Sequence, residues 1–233
     1  MTKIIAHRGF SQKEKQNTAA AFRRASESGA YGVETDVRLT KDGVFVTFHD
    51  KSAARLSGKY KIIEKTDFKD VQKLKVYDRQ HRHKVPTFLD FLQSCKSSGK
   101  AAVVEIKSRL TKEQTEELIQ IIDSEHYLSN TIFISFNMQA LKYIRARLSE
   151  QPIQLLALLY RKVDLKFLQE YKFGLDINHR QLTKDRIIEC HELGIEVNCW
   201  TVNSGRRTKI LQQWGADYIT TDKLTLCERM INK

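Results

Sequence analysis

Val33-Glu34-Thr35-Asp36-Val37-Arg38-Leu39-Thr40-Lys41-Asp42-Gly43-Val44-Phe45-Val46-Thr47-Phe48-His49-Asp50 carries two carboxylates on an apolar run, reverses, and returns to a histidine. On a strand, Glu34 and Asp36 point to the same face, because side chains alternate with a period of two. The reversal reads as a β-hairpin with its turn at Lys41-Asp42 or Asp42-Gly43. The first turn sets His49 opposite Glu34; the second sets it opposite Asp36. Either register returns the histidine to the carboxylates, within the ~5 Å of a cross-strand pair.

The same pattern recurs to either side. His7 follows Ile4-Ile5-Ala6, and Glu105 follows Ala102-Val103-Val104. Ionisable groups are seldom buried without partners, so five of them at the ends of core strands are expected to meet. Three carboxylates (Glu34, Asp36, Glu105) suit a hard divalent cation, and two histidines (His7, His49) suit proton transfer. The pattern reads as a metal-assisted hydrolase. Arg8 and Lys107 are the cations nearest to this set in sequence. They either balance the acids as ion pairs or bind phosphate oxygens and offset charge in the transition state.

Further outward, strand-like runs at 3–6, 32–37, 101–106, 131–135, 154–159, 173–177, 195–200 and 217–220 alternate with helix-like stretches. The helices are expected at 17–28, 87–98, 111–124, 137–149, 163–171, 183–193, 204–214 and 222–231. Asn17-Thr18, Thr87, Thr111 and Asn137 are start signals, and Gly29, Gly99, Gly194 and Gly215 are stop signals. Eight strand–helix repeats at this length predict an α/β protein, a (β/α)8 TIM barrel formed by residues 1–233 as one domain, with the hairpin added after strand two. Catalytic groups in such barrels sit at the C-terminal strand ends, where His7, Glu34, Asp36 and Glu105 fall. The polar and basic stretch 51–86 has no barrel strand and is expected to lie over the mouth or flank.

Forty basic against 28 acidic residues give a net charge of +12, which favours anionic partners. The basic residues are scattered, densest from Arg79 to Lys84, and not interleaved with aromatics, so no nucleic-acid role is expected. Cys95, Cys190, Cys199 and Cys227 form no metal-binding or redox spacing and read as reduced packing thiols. With no signal-like or membrane-spanning apolar run, the chain is expected to be cytoplasmic, without stable membrane insertion.

Ala6-His7-Arg8-Gly9, Asn17-Thr18 with Ala21-Phe22, the Val33–Gly43 stretch and His49-Asp50 together resemble the glycerophosphodiester phosphodiesterase family. Pro86-Thr87-Phe88, Glu105-Ile106-Lys107, Ser135-Phe136, Trp200-Thr201-Val202-Asn203, Gly215-Ala216-Asp217 and Thr221-Asp222 extend the resemblance to the last helix. The resemblance implies a TIM barrel that hydrolyses glycerophosphodiesters to sn-glycerol 3-phosphate and an alcohol. It implies His7 and His49 as the acid–base pair, and Glu34, Asp36 and Glu105 as ligands of one Mg2+ or Ca2+. Trp200 would lie by the glycerol moiety, its alternative role being to pack the barrel mouth. One departure stands out: the family commonly has Pro-Glu-Asn-Thr where this chain has Lys15-Gln16-Asn17-Thr18. Gln16 keeps a carbonyl acceptor but loses the charge, so reduced or redirected activity at most is expected, and not an inactive protein. The rival activities are a related phosphodiesterase acting on lysophospholipids or sphingomyelin, and a non-catalytic barrel that binds glycerophosphodiesters.

Overall fold

The computed structural model describes residues 1–77 and 82–231. Arg79, Gln80 and His81 of the densest basic stretch lie outside the described residues. In chain order the elements are β1 (Lys3–Ala6), α1 (Ala19–Ser26), β2 (Gly32–Leu39), β3 (Phe45–Thr47), α2 (Ala54–Ser57) and α3 (Phe68–Val71). They continue with β4 (Val76–Tyr77), β5 (Arg82–His83), α4 (Phe88–Lys96), β6 (Ala101–Ile106), α5 (Lys112–Ser124), β7 (Thr131–Ser135) and α6 (Met138–Arg147). The last are β8 (Ile153–Ala157), α7 (Leu165–Glu170), β9 (Gly174–Asn178), α8 (Lys184–Glu192), β10 (Val197–Trp200), α9 (Gly205–Trp214), β11 (Tyr218–Thr221) and α10 (Leu224–Ile231).

Strands β1, β2, β6, β7, β8, β9, β10 and β11 pair in parallel and close where β1 meets both β2 and β11. All eight expected strands and all eight expected helices are present, with ends displaced by a few residues at most. The helices start where their capping chemistry dictates. Thr87 and Thr111 form capping boxes with Asp90 and Gln114, while the Thr18 hydroxyl accepts from Ala21 N–H. Such caps contribute about 1 kcal/mol each. Gly29 ends no helix in left-handed geometry, unlike Gly99, Gly194 and Gly215; α1 closes through Glu27 in right-handed geometry instead.

Strand alternation explains the two cores. On β1 and β6, Ile4, Ala6, Ala102, Val104 and Ile106 face the helices. Ile5 and Val103 face the barrel interior with Ile132, Ile134, Leu156 and Tyr218. His7 and Glu105 stand two residues beyond Ile5 and Val103, so they too face inward. The interior also holds a polar set: Asn198 Nδ2 donates to Gln154 Oε1 at 2.9 Å, and Thr220 Oγ1 donates to Asn198 Oδ1 at 3.2 Å.

The hairpin is present, but in neither expected register. Val37 pairs with Thr47, Arg38 with Val46 and Leu39 with Phe45. A three-residue loop replaces the two-residue turn: Gly43 takes φ +84°, and Gly43 N–H donates to Thr40 O at 3.1 Å. The stretch after the hairpin also differs from a simple polar cover. Ala53, Leu56, Ile63, Val71, Leu74, Val76 and Val85 gather with Val46 and Phe48 into a separate apolar cluster.

Candidate active site

Register places the site residues. Asp36 on β2 lies beside Glu105 on β6. Ala6 pairs with Val33 on one side and Thr221 on the other, so the next residue, His7, stands between Glu34 and Asp222. Ligand atoms of Glu34, Asp36 and Glu105 lie within 4.8 Å of one another, and all three residues are buried.

The acids are held by a small set of donors. Glu34 Oε2 accepts the Arg8 backbone N–H at 2.8 Å, while its Oε1 is buried without a hydrogen bond among the described residues. Arg8 adopts φ +57° and Gly9 φ +79°, and this tight reversal turns the amide onto Glu34. A Cβ on Gly9 would lie 2.7 Å from the Ala21 carbonyl carbon, so only glycine fits between the reversal and α1. Asp36 Oδ2 accepts from Asn17 Nδ2 at 2.7 Å, and the Arg8 Nε lies 3.1 Å away. Lys107 Nζ sits 3.2 Å from Asp36 Oδ1 and 2.6 Å from Glu105 Oε1.

These contacts separate the three carboxyls. Burial, with Asp36 and Glu105 nearby, raises the pKa of Glu34 well above its ordinary value. Burial and then Asp36 push Glu105 up to about 7. Burial also disfavours the charge of Asp36, but Arg8 and Lys107 outweigh it and hold Asp36 well below the usual range. Acids that resist joint ionisation are poised to gain from a cation. An all-oxygen donor set with an unpartnered buried Glu34 oxygen therefore fits a hard divalent ion.

Each histidine has an aspartate at Nδ1. His7 Nδ1 is 2.7 Å from Asp222 Oδ1, and His49 Nδ1 is 2.7 Å from Asp50 Oδ1. Asp50 is gripped in turn by Arg55, with Nε and NH2 at 2.6 and 3.1 Å. Arg38 donates to the His49 carbonyl through Nε at 3.0 Å and NH2 at 2.7 Å, tying the loop after β3 to β2. A carboxylate at Nδ1 leaves Nε2 of each ring to exchange a proton.

All eight residues singled out from sequence converge. His7, Arg8, Glu34, His49, Glu105, Lys107 and Trp200 line one cavity of about 190 Å³ at the C-terminal barrel mouth, and Asp36 is buried beneath it. Arg8 and Lys107 ion-pair with the acids and also line the cavity. Trp200 packs edge-on against Phe136, with ring centroids 6.0 Å apart, and donates Nε1–H to the Asp176 carbonyl at 3.3 Å. It is both a packing residue and a cavity wall. Gln16 Oε1 accepts from Arg8 NH1 at 3.0 Å, so this position orients the arginine.

Two residues escaped the sequence reading. Asn17, read as a helix start, bridges Asp36 and the Thr35 hydroxyl; its turn geometry at φ +53° makes it a clamp. Asp176 on β9 is buried and lines the cavity, with Oδ1 lacking any hydrogen bond among the described residues. Burial and Glu105 raise its pKa well above the ordinary value. A polar residue inside Leu175-Asp176-Ile177 was its only signal.

Three buried acids beside two largely buried cations at the C-terminal barrel mouth give a site suited to a divalent cation and an anionic ligand together, the donor set of a metal-assisted hydrolase. Residues 7–226 match the glycerophosphoryl diester phosphodiesterase family, and the chain belongs to that family. It is 28% identical over 231 residues to a glycerophosphodiester phosphodiesterase of Caldanaerobacter subterraneus subsp. tengcongensis, covering 95% of this chain and 94% of that one. A crystal structure of a glycerophosphodiester phosphodiesterase from Parabacteroides distasonis superposes with a TM-score of 0.86 at 29% identity, over 99% of this chain and 97% of the other. An Oleispira antarctica phosphodiesterase, solved with its product sn-glycerol 3-phosphate, shares the fold at a TM-score of 0.92 and 24% identity, covering 100% and 98% of the two chains. No helix among the described residues is long and apolar enough to cross a membrane.

Proposed function

We propose that residues 1–233 act as one catalytic unit that hydrolyses glycerophosphodiesters to sn-glycerol 3-phosphate and an alcohol, with His7 and His49 as the acid–base pair. The observation that carries this reading is the pair of aspartate-held histidines, each 2.7 Å from its aspartate, on one cavity with the three-acid cluster. Glu34, Asp36 and Glu105 would hold the divalent cation, Mg2+ or Ca2+, which supplies Lewis acidity at the phosphoryl group.

The remaining work falls to side chains of this chain. Arg8 and Lys107 draw the phosphodiester into the cavity and offset charge on its oxygens. Phe136 and Trp200 give the glycerol carbons an apolar wall. A cavity of about 190 Å³ suits a three-carbon phosphate better than an acyl chain, since drug-sized ligands occupy roughly 300 Å³ or more. Burial lowers the pKa of His49, which favours its neutral form and suits it to take the proton of the nucleophile. That nucleophile is either water directly or the neighbouring glycerol hydroxyl, the latter giving a cyclic phosphate that water then opens. His7, held by Asp222, then donates to the leaving alcohol oxygen. Acid–base assistance of this kind contributes about 10²–10⁴ in rate.

The test is glycerol 3-phosphate release from glycerophosphocholine and glycerophosphoethanolamine with Mg2+, Ca2+ or EDTA, in the wild type and in His7→Ala and His49→Ala. Metal-dependent turnover lost in both variants is expected. Binding of the diester without turnover under any cation would replace this reading with a non-catalytic barrel.

A further inference from the structure

Beside the catalytic cavity lies a second and larger cleft, about 620 Å³, and Lys107 lines both. Its walls are the hairpin end, the segment Ile62–Lys65 and the loop after β6. Lys41, Lys51, Lys65 and Arg109 are exposed around it. Among the described residues, no carboxylate lies within 4.0 Å of Lys51, Lys65 or Arg109, and Lys41 meets Asp67 only at 3.9 Å. The one carboxylate among the described lining residues, Glu64, pairs through Oε1 with Arg38 and the Ser108 hydroxyl, while its Oε2 is buried without a hydrogen bond. Like charges gathered around a concavity repel one another and raise the local concentration of anions. The opposite wall of the catalytic cavity carries Phe136 and Trp200 at the mouth, above Leu156 and the buried Asp176. The mouth is therefore divided, with carbon on one side of the phosphodiester and unneutralised positive charge on the other.

We propose that the leaving alcohol of the preferred substrate carries a second phosphate group, and that this cleft binds it. The inference rests on the glycerophosphodiesterase reading and narrows it. With the glycerol moiety against Trp200 and the scissile phosphate between Arg8 and Lys107, the leaving alcohol runs past Lys107 into the cleft. Lys51, Lys65 and Arg109 converge there from three separate segments, so the cleft selects substrates without touching the reacting atoms.

The test compares glycerophosphocholine, whose leaving alcohol is cationic, with bis(glycerophospho)glycerol, whose leaving alcohol carries a second phosphodiester. Both are assayed with the wild type and with the triple variant Lys51→Ala, Lys65→Ala, Arg109→Ala. A control variant, Lys166→Ala, Lys184→Ala, Lys209→Ala, removes the same charge from exposed positions on α7, α8 and α9. The wild type is expected to favour the second substrate about 10-fold or more in kcat/KM, through KM and more strongly at low salt. The cleft variant loses that preference and the control keeps it. Equal effects of the cleft variant on both substrates, or loss of the preference in the control too, would overturn the proposal. If the wild type turns over neither diester, the hydrolase reading fails, and equilibrium binding of the same two compounds decides the cleft. Tighter binding of the second compound, weakened only in the cleft variant, would uphold it; equal binding would end it.

Discussion

Asp222 Oδ1 lies 2.7 Å from Nδ1 of His7, joining two residues 215 positions apart across the seam where β11 pairs with β1. The closure of the barrel and the orientation of a catalytic candidate are thus one structural event. Ser11 Oγ and Asn203 Nδ2 also donate to Asp222, at 3.2 and 2.8 Å, so its position is defined from three directions.

Asp222→Asn keeps the shape but removes the charge that fixes the ring. Turnover is expected to fall roughly 10–100-fold, as for other groups that orient a functional histidine. Although burial opposes its ionisation, the bond from His7 holds the Asp222 carboxyl at about 2, below an ordinary value of 3.8. A depressed folded pKa stabilises above 3.8 and loses that contribution as pH falls through 2. Urea melts of the wild type and variant should therefore differ at neutral pH and converge towards pH 2. A constant difference across that range would exclude the linkage.

The pH–rate profile addresses His49. Its pKa is lowered by burial from 6.5, and a base must be unprotonated to act. The acidic limb of kcat/KM should accordingly lie below pH 6.5, and Asp50→Asn should move it lower still, because the bond from Asp50 raises the pKa. A limb above 6.5 would assign the base elsewhere.

Gln16→Glu tests the residue that departs from the family. A carboxylate there would pair with Arg8 and add negative charge beside Asp36. Half-saturation with Mg2+ or Ca2+ should shift to a several-fold lower concentration, measured by thermal shift; saturating cation at 100 times Kd stabilises by about 2.7 kcal/mol. An unchanged midpoint would confine this position to orienting the arginine.

Asp176→Asn should stabilise the protein when divalent cations are chelated. A carboxyl whose folded pKa is raised costs stability as pH rises above its unfolded value of 3.8, and asparagine carries no such cost. Tm in EDTA should exceed that of the wild type at pH 7 by a few degrees, about 2–4 °C for each kcal/mol, and match it below pH 3.8. A lower Tm at pH 7 would show that Asp176 has a partner that asparagine cannot keep.

Gly9→Ala offers a structural test. The added methyl would meet the backbone of α1 at 2.7 Å from a left-handed conformation, so a loss of roughly 1–3 kcal/mol is expected. Calorimetry showing wild-type stability would mean that the reversal after β1 can relax.

What could be read from the sequence is what a period of two and a strand end determine. Glu34, Asp36, Glu105 and His7 follow from counting along strands whose apolar partners are evident. The hairpin register was missed by one residue because Gly43 lengthened the loop, a choice made by backbone dihedrals. His49 reached the site nonetheless, since it lies just past the ladder, whose last bond is from Phe48 N–H to Asp36 O at 2.8 Å. Asn17 was hidden because only the fold brings it onto Asp36 and Thr35 of β2, and Asp176 because a lone carboxyl in an apolar run carries no mark of the cavity it lines. The cluster formed by Ala53, Leu56, Ile63, Val71, Leu74, Val76 and Val85 was obscured because its apolar members are widely spaced among polar and charged residues.

That satellite cluster has a consequence for how damage spreads. Val46 and Phe48, the residues leading to His49, belong to it, while His7 is rooted in the wall of the barrel. His49 thus depends on the annex as well as on β2, through Arg38, whereas His7 depends on the barrel wall. A cavity opened at Val71 or Leu74, remote from any reacting atom, would loosen one partner of the pair and leave the other in place. Fidelity of the chemistry is then limited by the weaker of two foundations, and mutational sensitivity should be as strong in that small annex as at the mouth itself.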